Sequence, residues 1–138
     1  MRLVVDTNVL VSALLNPSGI PARLLEQIQT GGHTLLFDAR ILDEYRRVLN
    51  RPEFAFSPGA VAVLLSAVQS SGLQVDALPL AVRLPDADDL AFLEVAAAGL
   101  AGALITGNAH HFAPIQGAHG IRVVSPREAL ELLAESGR

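Results

Sequence analysis

Hydrophobic residues along this chain fall into two kinds of run, and the two kinds alternate from end to end. Short continuous runs read as strands buried on both faces: Leu3 to Asp6, His33 to Asp38, Ala103 to Thr106, and "GIRVVS" at Gly120 to Ser125. Between them lie longer segments with apolar residues at helical spacing. Val9 to Leu15 is one, stopped by "NPSG". A second starts near Pro21, runs to about Thr30 and ends at Gly31 and Gly32. A third, Ala39 to Asn50, lines up Ile41, Leu42, Tyr45, Val48 and Leu49 as an apolar stripe, and Pro52 ends it. Ser57 caps a fourth, with Pro58 at its first position and Gly72 as its stop. A capped helix is expected from about Asp88 to near Gly99, and a last one from Pro126 to Glu135. "LQVDAL" fits either a short strand or a connection. Alternation of this kind predicts an α/β fold, a central parallel sheet of four to five strands flanked by helices on both faces. No linker, repeat or low-complexity segment breaks the pattern, so one domain over residues 1–138 is expected.

Composition narrows the picture. A 138-residue chain that is 51% hydrophobic can build a core and is not disordered. With only 4% aromatic residues, Leu, Val and Ala must fill that core. The lack of cysteine excludes a disulfide framework, a Cys zinc site and thiol catalysis, and it fits a reducing cytoplasm. Met1 and Arg2 lead straight into a strand-like run without a signal-peptide pattern. The longest apolar run, Val95 to Ile105, is shorter than the ~20 residues a bilayer span needs. A soluble, cytoplasmic protein with no membrane partner is expected. The net charge of −4 argues against extended duplex binding, although a small acidic site acting on nucleic acid stays open. All 10 basic residues are Arg, which excludes any mechanism that needs lysine.

In parallel sheets the ligand site lies beyond the carboxyl ends of the strands, and here those ends are polar. Asp6, Thr7 and Asn8 close the first strand, Asp38 the second, and Thr106, Gly107 and Asn108 the third. Each feature has a plain reading. Asp, Thr and Asn cap helices, and Asn8 can cap while Asp6 binds a cation. Asp43 can pair with Arg47 at i,i+4 on a solvated face. Asp86 and Asp88 suit a helix start. Glu44, however, borders the apolar stripe within reach of a crevice, with Arg47 and Arg51 on the same flank. Asp89 shares the inward face of an almost wholly apolar helix with Phe92, Leu93 and Ala96, where a carboxylate needs a cation or strong donors. His110 and His111 are adjacent and read as loop residues near substrate rather than a zinc site. Carboxylates from separate segments at one sheet edge match an oxygen-ligand site for Mg²⁺ or Mn²⁺, of the kind that activates water against phosphate.

The order "VVDTNVLVSALL", "DEYRRVL", "DADDLAFLEVAAA", "LITGNAHHF" resembles the PIN-domain ribonucleases, nearest to the VapC-like toxin components of toxin–antitoxin pairs. The resemblance spans nearly the whole chain. It implies a single PIN-like domain and a metal-dependent endoribonuclease acting on RNA, with a protein antitoxin as partner and a homodimer as assembly. It implies Asp6, Glu44 and Asp89 as metal carboxylates, assisted by Asp86 and Asp88, with Thr7, Asn8 and Thr106 in support. Arg47 and Arg51 are the candidates for RNA phosphate contact. Family members carry a fourth acid in a "T-x-D" or "T-G-D" turn, and this chain has Asn108 there, which weakens a second metal position. A Rossmann or P-loop enzyme lacks its glycine motif here, and receiver domains and haloacid-dehalogenase-type phosphatases lack their lysine. The runner-up is a catalytically weak PIN-like module that binds RNA or protein.

Overall fold

A computed structural model describes residues 1–116 and 118–136. The strands are β1 (Arg2–Val5), β2 (Thr34–Phe37), β3 (Leu73–Gln74), β4 (Ala103–Ile105) and β5 (Val123–Val124). The α-helices are α1 (Thr7–Leu15), α2 (Ile20–Thr30), α3 (Ala39–Leu49), α4 (Pro58–Ser71), α5 (Leu90–Ala98) and α6 (Pro126–Ser136). All strand pairs are parallel, in the order β3-β2-β1-β4-β5. Among the described residues no helix is long and apolar enough to cross a membrane.

Both faces of the sheet are covered, as its composition requires. Successive strand residues point to opposite faces, yet Leu3, Val4 and Val5 are all buried, as are Ala103, Leu104 and Ile105. α5 packs on β1, β2 and β4; α3 and α4 pack on β2; α6 packs on β4 and α2. Tyr45, Phe92 and Phe112 are the bulkiest fully buried side chains. The Tyr45 hydroxyl donates to the Val5 carbonyl, tying α3 to the carboxyl end of β1.

The order of the strands positions the site. From β1 the chain moves to β2 on one side and reaches β4 on the other. The crevice at such a reversal opens beyond the ends of the two inner strands. Val5 pairs with Ile105, so the next residues, Asp6 and Thr106, stand side by side at that opening.

Several expected elements take a different form. "LQVDAL" supplies the edge strand β3, only two residues long. The last strand contracts from Gly120–Ser125 to Val123–Val124, because β4, the strand it pairs with, is itself only three residues long. The Gln116 side chain occupies the outer edge of β5. Gln116 donates to the Val123 carbonyl at 3.3 Å and accepts from its N–H at 3.2 Å, as a further strand would. The helix expected from Asp88 begins at Leu90, after a 3-10 turn at Ala87–Asp89. Asp86 imposes that turn: its side chain accepts from Asp88 N at 2.9 Å and its carbonyl from Asp89 N at 3.1 Å. His110 and His111 lie in a 3-10 helix, Ala109–Ile115, which buries Phe112 and Ile115.

Candidate functional site

Asp6 carries both roles raised by its sequence position. It is the N-cap of α1, and its Oδ1 accepts from Thr7 N at 2.8 Å. Its Oδ2 accepts from the Thr106 hydroxyl at 2.8 Å and from Asn8 Nδ2 at 3.3 Å. The cap is therefore Asp6 itself and not Asn8, contrary to the expectation from sequence. Asn8 instead stitches two segments together. Its Oδ1 accepts from Gly107 N at 3.0 Å, which turns its amide toward Asp6. Thr106 Oγ1 also accepts from Asn108 N at 3.0 Å. "DTN" and "TGN" thus form one hydrogen-bonded corner.

Two further carboxyls reach this corner. Glu44 arrives from α3, and its Oε2 accepts from the Thr7 hydroxyl. Asp89 arrives from the turn before α5 and is only 7% exposed. Its Oδ2 is buried with no hydrogen-bond partner, and His111 Nδ1 stands 3.4 Å away. A cavity of about 180 Å³ joins these groups, lined among others by Asp6, Thr7, Asn8, Glu44, Arg47, Arg51, Asp86, Asp88, Asp89, Asn108 and His111. Every site residue that the family resemblance implies lines it except Thr106, which lies fully buried beneath and holds Asp6. A larger adjoining cavity of about 330 Å³ runs along α3 and shares Glu44, Arg47 and Asp88.

The electrostatics of the cavity are those of crowded, desolvated carboxyls. Burial pushes Asp6 above its ordinary pKa, against the hydrogen bonds from Thr106 and Thr7. Burial also raises Glu44, opposed by the Thr7 hydroxyl and reinforced by the Asp6 charge. Asp89 is raised to about 7, by burial first and then by the charges of Asp6 and Asp86.

This arrangement fits a divalent cation. The donors are carboxylate oxygens with one imidazole, and Asp89 Oδ2 accepts no hydrogen bond, its ion-pair partner being the His111 imidazole at 3.4 Å when that ring is protonated. Among the described residues no three such groups close on one point. The site is an open acidic cavity rather than a protein cage, which suits ions that keep several waters and take further oxygens from a phosphate.

A pH effect on stability follows. Asp89 holds its proton more tightly in the folded state, about 7 against 3.8, so its contribution is present below pH 3.8 and is lost as the pH rises through about 7. Its ionisation costs the metal-free fold on the order of 2–4 kcal/mol. Asp89→Asn is expected to raise the melting temperature of the metal-free protein at about pH 8 and to leave it little changed near pH 4. Thermal melts across pH in the presence of EDTA check this.

Other expectations are corrected. Asp38 does not join the acidic cavity. It caps α3 through Ile41 N at 3.0 Å and pairs with Arg40 at 2.8 Å, beside a second cavity that also holds Glu94. Among the described residues the ion pairs do not include Asp43 with Arg47, although both line the groove along α3. His111, expected in a loop near substrate, lines the cavity from a 3-10 helix, whereas Arg40 and Glu94 are not marked by the sequence reading. A carboxylate inside "LAFLEVAAA" was the one available signal for Glu94.

No curated protein matches the chain. The PIN domain family model matches residues 2–110, from β1 through the Thr106–Asn108 turn to the residue before His111, and the chain belongs to the PIN domain family.

Proposed function

We propose that this protein is a metal-dependent endoribonuclease, the toxin of a toxin–antitoxin pair, working in the cytoplasm as a homodimer restrained by a protein antitoxin. PIN domains are generally nucleases and typically use divalent ions, and the VapC-like order of motifs supports the finer assignment. The observation that carries the reading is the open cavity at the ends of β1 and β4, which Asp6, Glu44 and Asp89 line together with Arg47 and Arg51.

In this reading Asp6, Glu44 and Asp89 hold Mg²⁺ or Mn²⁺. When bound, such an ion supplies a water of lowered pKa and neutralises charge developing on the phosphate. The chain does the rest. Thr106 and Asn8 fix the Asp6 carboxylate, and Thr7 fixes Glu44. Asp86 shapes the turn that presents Asp89, and Asp88 adds a carboxylate at the mouth. Arg47 and Arg51 line the same cavity and offer planar donors to RNA phosphates, offsetting the acidic surroundings. Asn108 presents a neutral amide where the resembled family has an acid, so one tightly held ion is favoured over two. That amide also favours the second reading, a PIN-like module that binds RNA or protein and cuts poorly.

The test is cleavage of a mixed RNA pool with Mn²⁺, with Mg²⁺ and with EDTA. Cleavage that needs a divalent ion is expected, with an ion-induced rise in melting temperature. Ion binding and RNA binding without cleavage would favour the module. Neither ion binding nor cleavage would sink both metal readings.

A further inference from the structure

His111 lies one residue beyond the residues that the PIN family model matches. Its position is nonetheless fixed by the core, since Phe112 and Ile115 of the same 3-10 helix are buried. Its Nδ1 faces Asp89 Oδ2 at 3.4 Å, yet that oxygen accepts no hydrogen bond. The spacing is too long for an N–H···O bond, which falls at about 2.7–3.2 Å. It is within ion-pair reach of a protonated imidazole, and it also matches two donor atoms that share one ion, because ligands each about 2.1 Å from a metal stand roughly 3.0–3.4 Å apart. Asp89 lines the cavity with a carboxyl more than nine-tenths buried, and its Oδ2, sealed from solvent, accepts no hydrogen bond. The imidazole is about one-third exposed and so keeps access to the same space.

We infer that His111 is a ligand of the divalent ion, binding through Nδ1 at the corner it shares with Asp89 and making the site select a first-row transition metal over Mg²⁺. The inference rests on the metal-dependent reading above and adds a nitrogen donor to it. Mg²⁺ takes oxygen ligands and dehydrates reluctantly, whereas a mixed imidazole and carboxylate set suits transition ions. The neutral Asn108 makes this choice matter more. The turn that carries a fourth acid in the resembled family has none here, and three residues further on the chain brings an imidazole into the same cavity.

The experiment is Mn²⁺ titration of the full chain by calorimetry, with electron spin-echo spectroscopy of the Mn²⁺-loaded protein. The wild type is expected to show a directly bound imidazole nitrogen and to bind Mn²⁺ at least tenfold more tightly than Mg²⁺. His111→Ala is expected to lose the nitrogen signal and roughly tenfold in Mn²⁺ affinity, with Mg²⁺ affinity little changed. His110→Ala is expected to keep both. The spectrum of the wild type tests the inference even where a variant folds poorly. Mn²⁺ bound by oxygens alone, with metal-dependent cleavage intact, would overturn the nitrogen ligand and leave the nuclease standing. A wild type that binds neither ion would overturn both. A nitrogen signal that survives His111→Ala and vanishes in His110→Ala would assign the wrong histidine and overturn the inference as stated.

Discussion

Asp6→Asn is expected to lower metal-dependent RNA cleavage by on the order of 10²–10³-fold while the chain stays folded. The substitution keeps the volume of the side chain and one of its two tasks. An Asn oxygen can still accept from Thr7 N, so the start of α1 is preserved. The second oxygen cannot be replaced. Where Oδ2 now accepts from the Thr106 hydroxyl and from Asn8 Nδ2, the variant presents an NH₂ group. Asn8 cannot turn to receive it, because its own oxygen accepts from Gly107 N at 3.0 Å. Two donors then face each other in a buried corner, which costs about 1–3 kcal/mol. Relief of the crowding offsets part of that cost, since the Asp6 charge opposes ionisation of both Glu44 and Asp89. Net stability should therefore change little. What is lost is the charge at the strand end, and with it most of the several kcal/mol by which a bound divalent ion assists phosphate chemistry. Single-turnover cleavage together with the Mn²⁺-induced melting shift checks this. A variant that cuts at the wild-type rate would remove Asp6 from the catalytic set.

The two halves of the site differ in how far local sequence encodes them. Asp6 and Thr106 were legible because a parallel sheet brings strand ends together, and the pairing of Val5 with Ile105 does so in register. Glu44 was legible at the border of an apolar helical stripe, and Asp89 as a charge on the inward face of an apolar helix. Other features depended on packing that no local pattern encodes. Asn8 looked like a cap, yet the bond to Gly107 N, 99 positions away, sets its role. His111 looked like a loop residue, yet burial of Phe112 and Ile115 winds that segment into a 3-10 helix and points the imidazole at Asp89. β5 is shorter than its hydrophobic run because it pairs with β4, which is only three residues long, and the Gln116 side chain completes its outer edge from seven positions away. The partner of Glu94 lies 54 positions away on α3, beyond any i,i+4 argument.

Glu94→Ala is expected to be the most destabilising single change in the region of the site, by on the order of 3 kcal/mol. Glu94 is 4% exposed within α5 and makes two bonds of 2.7 Å. Oε1 accepts from Arg40 Nη1, and Oε2 accepts from the backbone N–H of Leu80. Arg40 in turn bonds Asp38, the cap of α3, through Nε at 2.9 Å and Nη2 at 2.8 Å. One buried carboxylate thus ties α3 to α5 and pins the long connection that leads to Asp86. Arg40 is half exposed and keeps Asp38 when Glu94 is removed, so the ion pair alone contributes at the low end of the buried range. The larger loss is the Leu80 N–H, left without its acceptor, and the packing around the vacated side chain. A fall of roughly 10 °C in melting temperature follows for a chain of this size. Glu94→Gln should fall less, because its amide oxygen can still serve Leu80 N while its NH₂ faces Arg40. The effect should also reach the chemistry. Glu44 follows Arg40 by one helical turn on α3, and Asp89 sits just before α5, so the latch sets how far apart two of the three carboxyls stand. Loss of a group that positions ligands in this way costs about 10–100-fold in metal affinity. Mn²⁺ titration of Glu94→Gln, the better-folded variant, separates that effect from unfolding. If Glu94→Ala melts within a few degrees of the wild type, or if Glu94→Gln binds Mn²⁺ as the wild type does, the latch does not govern the spacing of the acidic cavity.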